Sequence, residues 1–355
     1  LKRLYPLNIK NEFLFNQSSR DFTVQEVPLY EFSGEGEHLI VHIRKKDLTT
    51  WEMLEILAKY LDINPKDIGY AGLKDKHAMT TQYISILDKG IKEKIERFQH
   101  PKIKILDTTR HNSKIRVGHL KGNHFKIRLK KVLGVQKDKL DSTLKWIEKN
   151  GVPNYFGEQR FGVESRNFED GKKIVEGRLK IRDKKLKKLL INSYQSYLFN
   201  LWLSKRVELS LLLKDFSERE VENILRLPSN TLKDTKSQKH FFKILKGDIL
   251  MHYPYGRAFM AEDINSELKR FLNRDISVTG VLSGKRVIKA EDIAKIFEEQ
   301  FLKENIAKNG FRRYAWIFVE NIKTDYIAEK AHYEVGFYLP KGAYATNVIS
   351  FLKGG

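Results

Sequence analysis

The chain has 355 residues, with 66 Lys and Arg against 45 Asp and Glu, a formal charge of +21. With 41% hydrophobic residues this is a folded, strongly basic protein. Its excess cations are spread from Lys2 to Lys353, which points to a nucleic acid rather than to a membrane surface, where one basic helix or tail would be expected. The lack of cysteine excludes disulfides, iron–sulfur clusters, zinc ribbons and thiol nucleophiles and fits a reducing cytoplasm; no run approaches the roughly 18 apolar residues of a membrane span.

The length suggests about two domains, and the first fifteen residues lack the apolar core of a signal peptide. Leu39, Val41 and Ile43 alternate with His38, His42 and Arg44, the period of a half-buried strand. A helix over 47–63 follows, with Thr49 and Glu52 as a capping box and Trp51, Leu54, Leu57, Ala58 and Leu61 on one face. Strands are expected over 82–87, 103–106, 114–118 and 124–130. In the last, Phe125, Ile127 and Leu129 share a face with Asn123, while Lys126, Arg128 and Lys130 take the other.

A helix over 135–150 ends at Gly151, and the run Asn150-Gly151-Val152-Pro153 is the best domain boundary. Helical character dominates next, over 184–212, over 217–227 with the Ser217/Glu220 capping box, and over 290–304 with Ile293, Ile296, Phe297 and Phe301 inward. Strand character returns over 314–320 and at Val335, Phe337 and Leu339. A strand-rich tail after a helical middle suggests one domain inserted in another.

Several runs imitate functional motifs. Gly280 to Arg286 is one residue too short for a phosphate loop and has Arg286 where a magnesium-binding hydroxyl belongs. Gly34-Glu35-Gly36 lacks the third glycine of a dinucleotide fingerprint and reads as a turn. His38 and His42 have helical metal-pair spacing, but on a strand they stand about 13 Å apart. No metal site is expected.

The run Gly69-Tyr70-Ala71-Gly72-Leu73-Lys74-Asp75-Lys76-His77-Ala78-Met79-Thr80-Thr81-Gln82 places one carboxylate between two lysines, in a loop that runs into an apolar strand. Alone it reads as a solvated charged turn; with cations beside it, Asp75 is held ionised near a polyanion. Four further runs accompany it in order: Arg20-Asp21-Phe22-x-Val24-x-Glu26 with Gly34-Glu35-Gly36-Glu37-His38, then Leu120-Lys121-Gly122-Asn123-His124-Phe125-Lys126-Ile127-Arg128, then Gly151 to Gly162 with Asn154, Gln159 and Arg160, and Leu339-Pro340-Lys341-Gly342-Ala343-Tyr344-Ala345-Thr346-Asn347-Val348. Together these resemble the tRNA pseudouridine synthase D (TruD) family, over residues 20 to 350.

The resemblance implies an α+β fold: a pseudouridine synthase catalytic domain, residues 1–153 and 311–355, with a mixed, mainly antiparallel sheet flanked by helices, and an inserted α/β TRUD domain, residues 154–310. It implies isomerisation of uridine to pseudouridine at position 13 of transfer RNA, the base flipped into a cleft between the domains, by a monomer without cofactor or metal. Asp75 takes the catalytic place, attacking C1′ or removing a proton from C2′. Asn123 positions its loop and Phe125 stacks on the base, although alternation alone would put Phe125 in a core. Lys74, Lys76, His77, Arg160, Thr346 and Asn347 are candidate RNA contacts. The family often has a basic residue where this chain has Asn16, so either another cation, such as Arg20 or Lys10, partners Asp75 or the pairing is made differently. The rival readings are a non-catalytic tRNA binder or chaperone, which would not need Asp75, and a basic nuclease-like hydrolase, which lacks candidate metal ligands.

Overall fold

The computed structural model describes residues 3–354; Leu1 and Gly355, the outer bounds of the expected domains, lie outside them. In chain order the elements are β1 (Phe22–Pro28), β2 (His38–Lys46), α1 (Thr50–Leu61), β3 (Gly69–Tyr70), β4 (Met79–Leu87), α2 (Lys92–Glu96), β5 (Ile103–His111), β6 (Leu120–Lys130), α3 (Gly134–Asn150) and β7 (Val152–Pro153). Then come α4 (Asn167–Val175), α5 (Lys184–Asp215), α6 (Glu218–Leu225), β8 (Ile249–His252), β9 (Ala258–Met260), α7 (Ile264–Leu272), β10 (Ile276–Leu282), α8 (Asp292–Glu298), β11 (Phe311–Tyr314), β12 (Trp316–Ile317), β13 (Glu320–Ile327), β14 (His332–Pro340) and α9 (Ala345–Lys353). The chain divides into two compact units, one of Asn11–Leu144 with Val319–Ala343, the other of residues up to Lys10, Lys145–Phe318 and the segment from Tyr344.

The first unit is built on one sheet in the order β13-β14-β6-β1-β4-β2-β5, with β3 added alongside β4. All its pairings are antiparallel except β1 with β4. Alternation holds where the sequence shows it. Leu39, Val41 and Ile43 of β2 pack under Met53, Leu54, Leu57 and Ala58 of α1, and Phe125, Ile127 and Leu129 of β6 are buried. The Thr49/Glu52 box caps α1 as expected, each partner accepting the other's backbone N–H. Trp51 is the exception on that helix: it is half exposed and leans on Tyr70 at the rim, and Met53 takes the inward place.

No strand forms over 114–118. The chain turns there, His119 N–H bonding Arg116 C=O and Gly118 taking a left-handed φ of 95°, so the strand character goes instead to β5, which runs on to His111.

The other unit holds a four-stranded sheet, β11-β10-β8-β9, and the 32-residue helix α5. Gly280, from the run resembling a phosphate loop, lies in mid-β10, where a Cβ would come 2.3 Å from the Trp202 ring of α5. Close packing, not phosphate, requires that glycine. The expected helix over 290–304 is shorter, ending at Glu298 before a 3-10 turn through Phe301, with Ile296 at the surface. Among the described residues no helix is long and apolar enough to cross a membrane, and no three His, Asp or Glu are grouped to hold a metal ion.

Candidate active site

The Asp75 loop begins where β3 presses against β4. A Cβ on Gly69 would lie 2.4 Å from both the Ile115 carbonyl and Ser85 Oγ, so only glycine permits this approach. Gly72 has room around it. The Ala71 carbonyl accepts from Gly118 N–H at 2.7 Å, which ties the loop's entry to the chain before β6.

Three groups from the sheet and α1 then hold the residues around Asp75. The Lys74 N–H donates to Thr50 Oγ1 at 2.9 Å, and that hydroxyl donates to Gln82 Oε1 at 3.2 Å. The Lys74 ammonium pairs with the Glu26 carboxylate of β1, both side chains almost fully buried. Glu26 also accepts from the Tyr83 N–H at 3.2 Å. Finally, Lys45 at the end of β2 donates to the Asp75 carbonyl at 3.0 Å and to the Leu48 carbonyl at 2.5 Å. The backbone on both sides of the Asp75 side chain is therefore specified, while Asp75 itself is exposed.

The electrostatics correct one expectation. Desolvation by the surrounding protein pushes the Asp75 carboxyl above its usual range, and Lys45, Lys74 and His77 only partly draw it back. The cations acting on Asp75 are thus not Arg20 or Lys10. Lys45 is itself perturbed: burial lowers its ammonium to about 8 against the opposing pull of Asp75.

Register aligns the remaining floor. Phe125 stands opposite Val24, Val24 opposite Thr80, and Thr80 opposite Lys45, one row across four strands on the face covered by α1. Asn123 is opposite Glu26 in the adjoining row. Asn123 Oδ1 and Thr80 Oγ1 are buried without a hydrogen-bond partner among the described residues, a costly arrangement. Phe125 is closely packed, 8% exposed, with its ring 6.0 Å from Phe22 and 5.7 Å from Phe337.

The candidate RNA contacts separate into two groups. Lys76 and His77 are at the surface beside Asp75; the Thr49 N–H, with Lys76 at 3.0 Å, holds the Glu52 carboxyl down at about 2. Lys74 is no surface cation, since its charge is spent inside on Glu26. In the other unit Arg160, Thr346 and Asn347 line a cavity of about 390 Å³. Arg160 lies over the Phe156 ring and donates to Ser196. Asn347 is buried, its amide donating to the Pro153 carbonyl at 2.5 Å, which makes it a brace of the chain rather than an open contact.

Two features escaped the sequence reading. Lys45 shares the parity of Leu39, Val41 and Ile43, so period two alone already put a lysine on a buried face. Beside Met79, which follows the loop, Arg44, Lys46, His100, Lys102 and Lys104, with Glu96, line a cavity of about 660 Å³, a mainly basic surface joined from β2, β5 and the segment before β5.

The family model for tRNA pseudouridine synthase D (TruD) matches residues 14–181 and 179–350. A curated tRNA pseudouridine synthase D from a Nitratiruptor species is 52% identical over 335 residues, 94% of this chain and 93% of that one. One from Sulfurimonas denitrificans is 51% identical over 350 residues, 98% of each. Among solved structures, one from Methanosarcina mazei carrying the tRNA pseudouridine synthase D (TruD) name superposes with a TM-score of 0.64 at 23% identity, covering 99% of this chain and 96% of that chain. The mixed, mainly antiparallel sheet is thus that of a known fold.

Proposed function

The chain belongs to the tRNA pseudouridine synthase D family, and we propose that it isomerises uridine to pseudouridine in transfer RNA, at position 13, with Asp75 as the one carboxylate at the sugar. The observation that carries this reading is the Asp75 loop: its backbone is held from three directions by buried groups while Asp75 itself stays exposed. A group held so that only its reactive end is free is pre-organised for chemistry rather than for solubility. A non-catalytic RNA binder would have no use for it.

The reaction breaks the bond from N1 to C1′ and forms one from C5 to C1′, with the C5 proton lost and a proton taken up at N1. Substrate and product are isomers, so no co-reactant enters the balance. Asp75 either attacks C1′ as uracil leaves or removes the C2′ proton. Asn123 and Phe125, on one face of β6, face the base and the loop, Phe125 through the edge that packing leaves open. A flipped nucleotide needs such a wall because it has given up its neighbours in the stack.

Phosphates of the RNA meet Lys76, His77 and the cations of β2 and β5 on this unit, and Arg160 and Thr346 on the other. The catalytic domain is residues 1–153 and 311–355, which take in every strand of the eight-stranded sheet, and residues 154–310 form the insertion. The protein works as a monomer in the cytoplasm with transfer RNA as its partner.

The deciding experiment maps pseudouridine in transfer RNA from cells with and without the gene, and treats an unmodified transcript with the purified protein. Pseudouridine at position 13 should vanish without the gene and appear in the transcript. A transcript left unmodified by protein that binds it would leave a binder.

A further inference from the structure

Lys45 has no exposed surface, and among the described residues it has no carboxylate within ion-pair distance. Its ammonium is satisfied by two carbonyls, those of Leu48 and Asp75. The charges facing it are Asp75 and Lys74 on the loop, Glu52 on α1 and Asp47 just after β2. A buried cation met only by carbonyl oxygens is costly to keep, and an apolar side chain of similar length would pack there at less cost. One of those two carbonyls belongs to Asp75 itself.

We propose that Lys45 is a positioning residue for the isomerisation: its ammonium fixes the Asp75 backbone and supplies the positive charge that keeps the neighbouring carboxylate ionised. This rests on the reading of Asp75 as the catalytic group. Being fully buried, Lys45 acts through the loop and not on the RNA. Desolvation raises the Asp75 carboxyl and the Lys45 charge draws it back, so without that charge Asp75 should hold its proton to a higher pH.

The test compares wild type, Lys45→Met, Lys45→Arg and Asp75→Asn by single-turnover rates on an unmodified transfer RNA transcript, from about pH 4 to about pH 9. Transcript affinity and melting temperature are read on the same preparations. Wild type should lose rate as pH falls and Asp75 takes up its proton. Lys45→Met should be about tenfold or more slower at neutral pH and have that acid limb moved to higher pH, with affinity within about twofold. Lys45→Arg, which keeps the charge, should keep most of the neutral rate and leave the limb close to its wild-type position.

A Lys45→Met protein with the wild-type rate or with its acid limb unmoved, or an Arg variant as slow as Met, overturns the proposal; the Arg variant, which keeps the charge, serves where Met does not fold. Activity in Asp75→Asn would instead remove the reading beneath it. An inactive Asp75→Asn beside unaffected Lys45 variants removes this proposal alone.

Discussion

Two buried cation clusters, one in each unit, are built from different side chains and to different ends. Under the Asp75 loop the cations are lysines: Lys74 on Glu26, and Lys45 on two carbonyls. In the other unit arginines carry most of the buried charge, beside Lys243 on the carbonyls of Lys236, Gln238 and His240. Arg206 of α5 grips Asp248 through two parallel bonds of 2.6 and 2.8 Å, adds the Lys243 carbonyl, and stacks on Trp202 and Phe242. Arg312 of β11 likewise pairs with Glu298 and bonds Thr279 twice. A guanidinium's fixed fork suits permanent scaffolding, because it holds several partners at once and stays charged. An ammonium is a point charge that burial can bring within reach of titration. The lysine cluster sits beside the exposed carboxylate, and the arginine cluster is enclosed by aromatic rings.

Four measurements can break or sharpen this contrast. The largest effect belongs to Asp75→Asn, which keeps the shape of the side chain and removes its charge. Single-turnover rate should fall by about 10²–10⁴-fold with melting temperature and transfer RNA affinity nearly unchanged. A rate within tenfold of wild type would mean that the loop is held for another purpose.

Next comes Arg206→Met, which strands Asp248 in the interior. It should cost about 3–5 kcal/mol of stability, a drop of roughly ten degrees in melting temperature, yet leave the rate per folded molecule within about threefold. Lys74→Met strands Glu26 in the same way but should also slow the reaction, since the loop it anchors carries Asp75. Equal rate losses in the two variants would erase the distinction between scaffold and site.

Phe125→Leu tests the row that runs from Lys45 to Phe125. Stacking on a flipped base is worth about 1–3 kcal/mol, so the rate per folded molecule should fall roughly tenfold to a hundredfold. The packing against Phe22 and Phe337 means that melting temperature will fall as well. A variant that melts early but is fully active per folded molecule makes Phe125 a core residue only.

The smallest effect is on stability against pH. Lys45 titrates at about 8 in the folded chain against a usual 10.5. Between those values the unfolded chain binds more protons than the folded one, so the Lys45 contribution to stability rises with pH across that window. Lys45→Met should flatten this slope, measured by urea unfolding at a series of pH values, while Arg206→Met leaves it in place. A slope unaltered by Lys45→Met would mean that the ammonium is hydrated.

Part of this was legible in the chain itself. The period-two runs at Leu39 and Phe125 and the boxes at Thr49 and Ser217 all depend on neighbours within a few residues, and they formed as read. So did the common face of Asn123 and Phe125, because parity along a strand is a local property. The ordered motifs named the family and singled out Asp75. What sequence could not supply was pairing across distance. Glu26 and Lys74 are 48 residues apart, and Lys45 and Asp75 are 30; nothing local says that they meet. The strand expected over 114–118 failed, and the packing of Phe125 stayed undecided, for a related reason: both turn on which surfaces the finished sheet leaves free. Local pattern determined which residues face inward. Only the assembled sheet decided which inward charges found partners, because desolvation and ion pairing depend on groups brought together by the fold rather than by the chain.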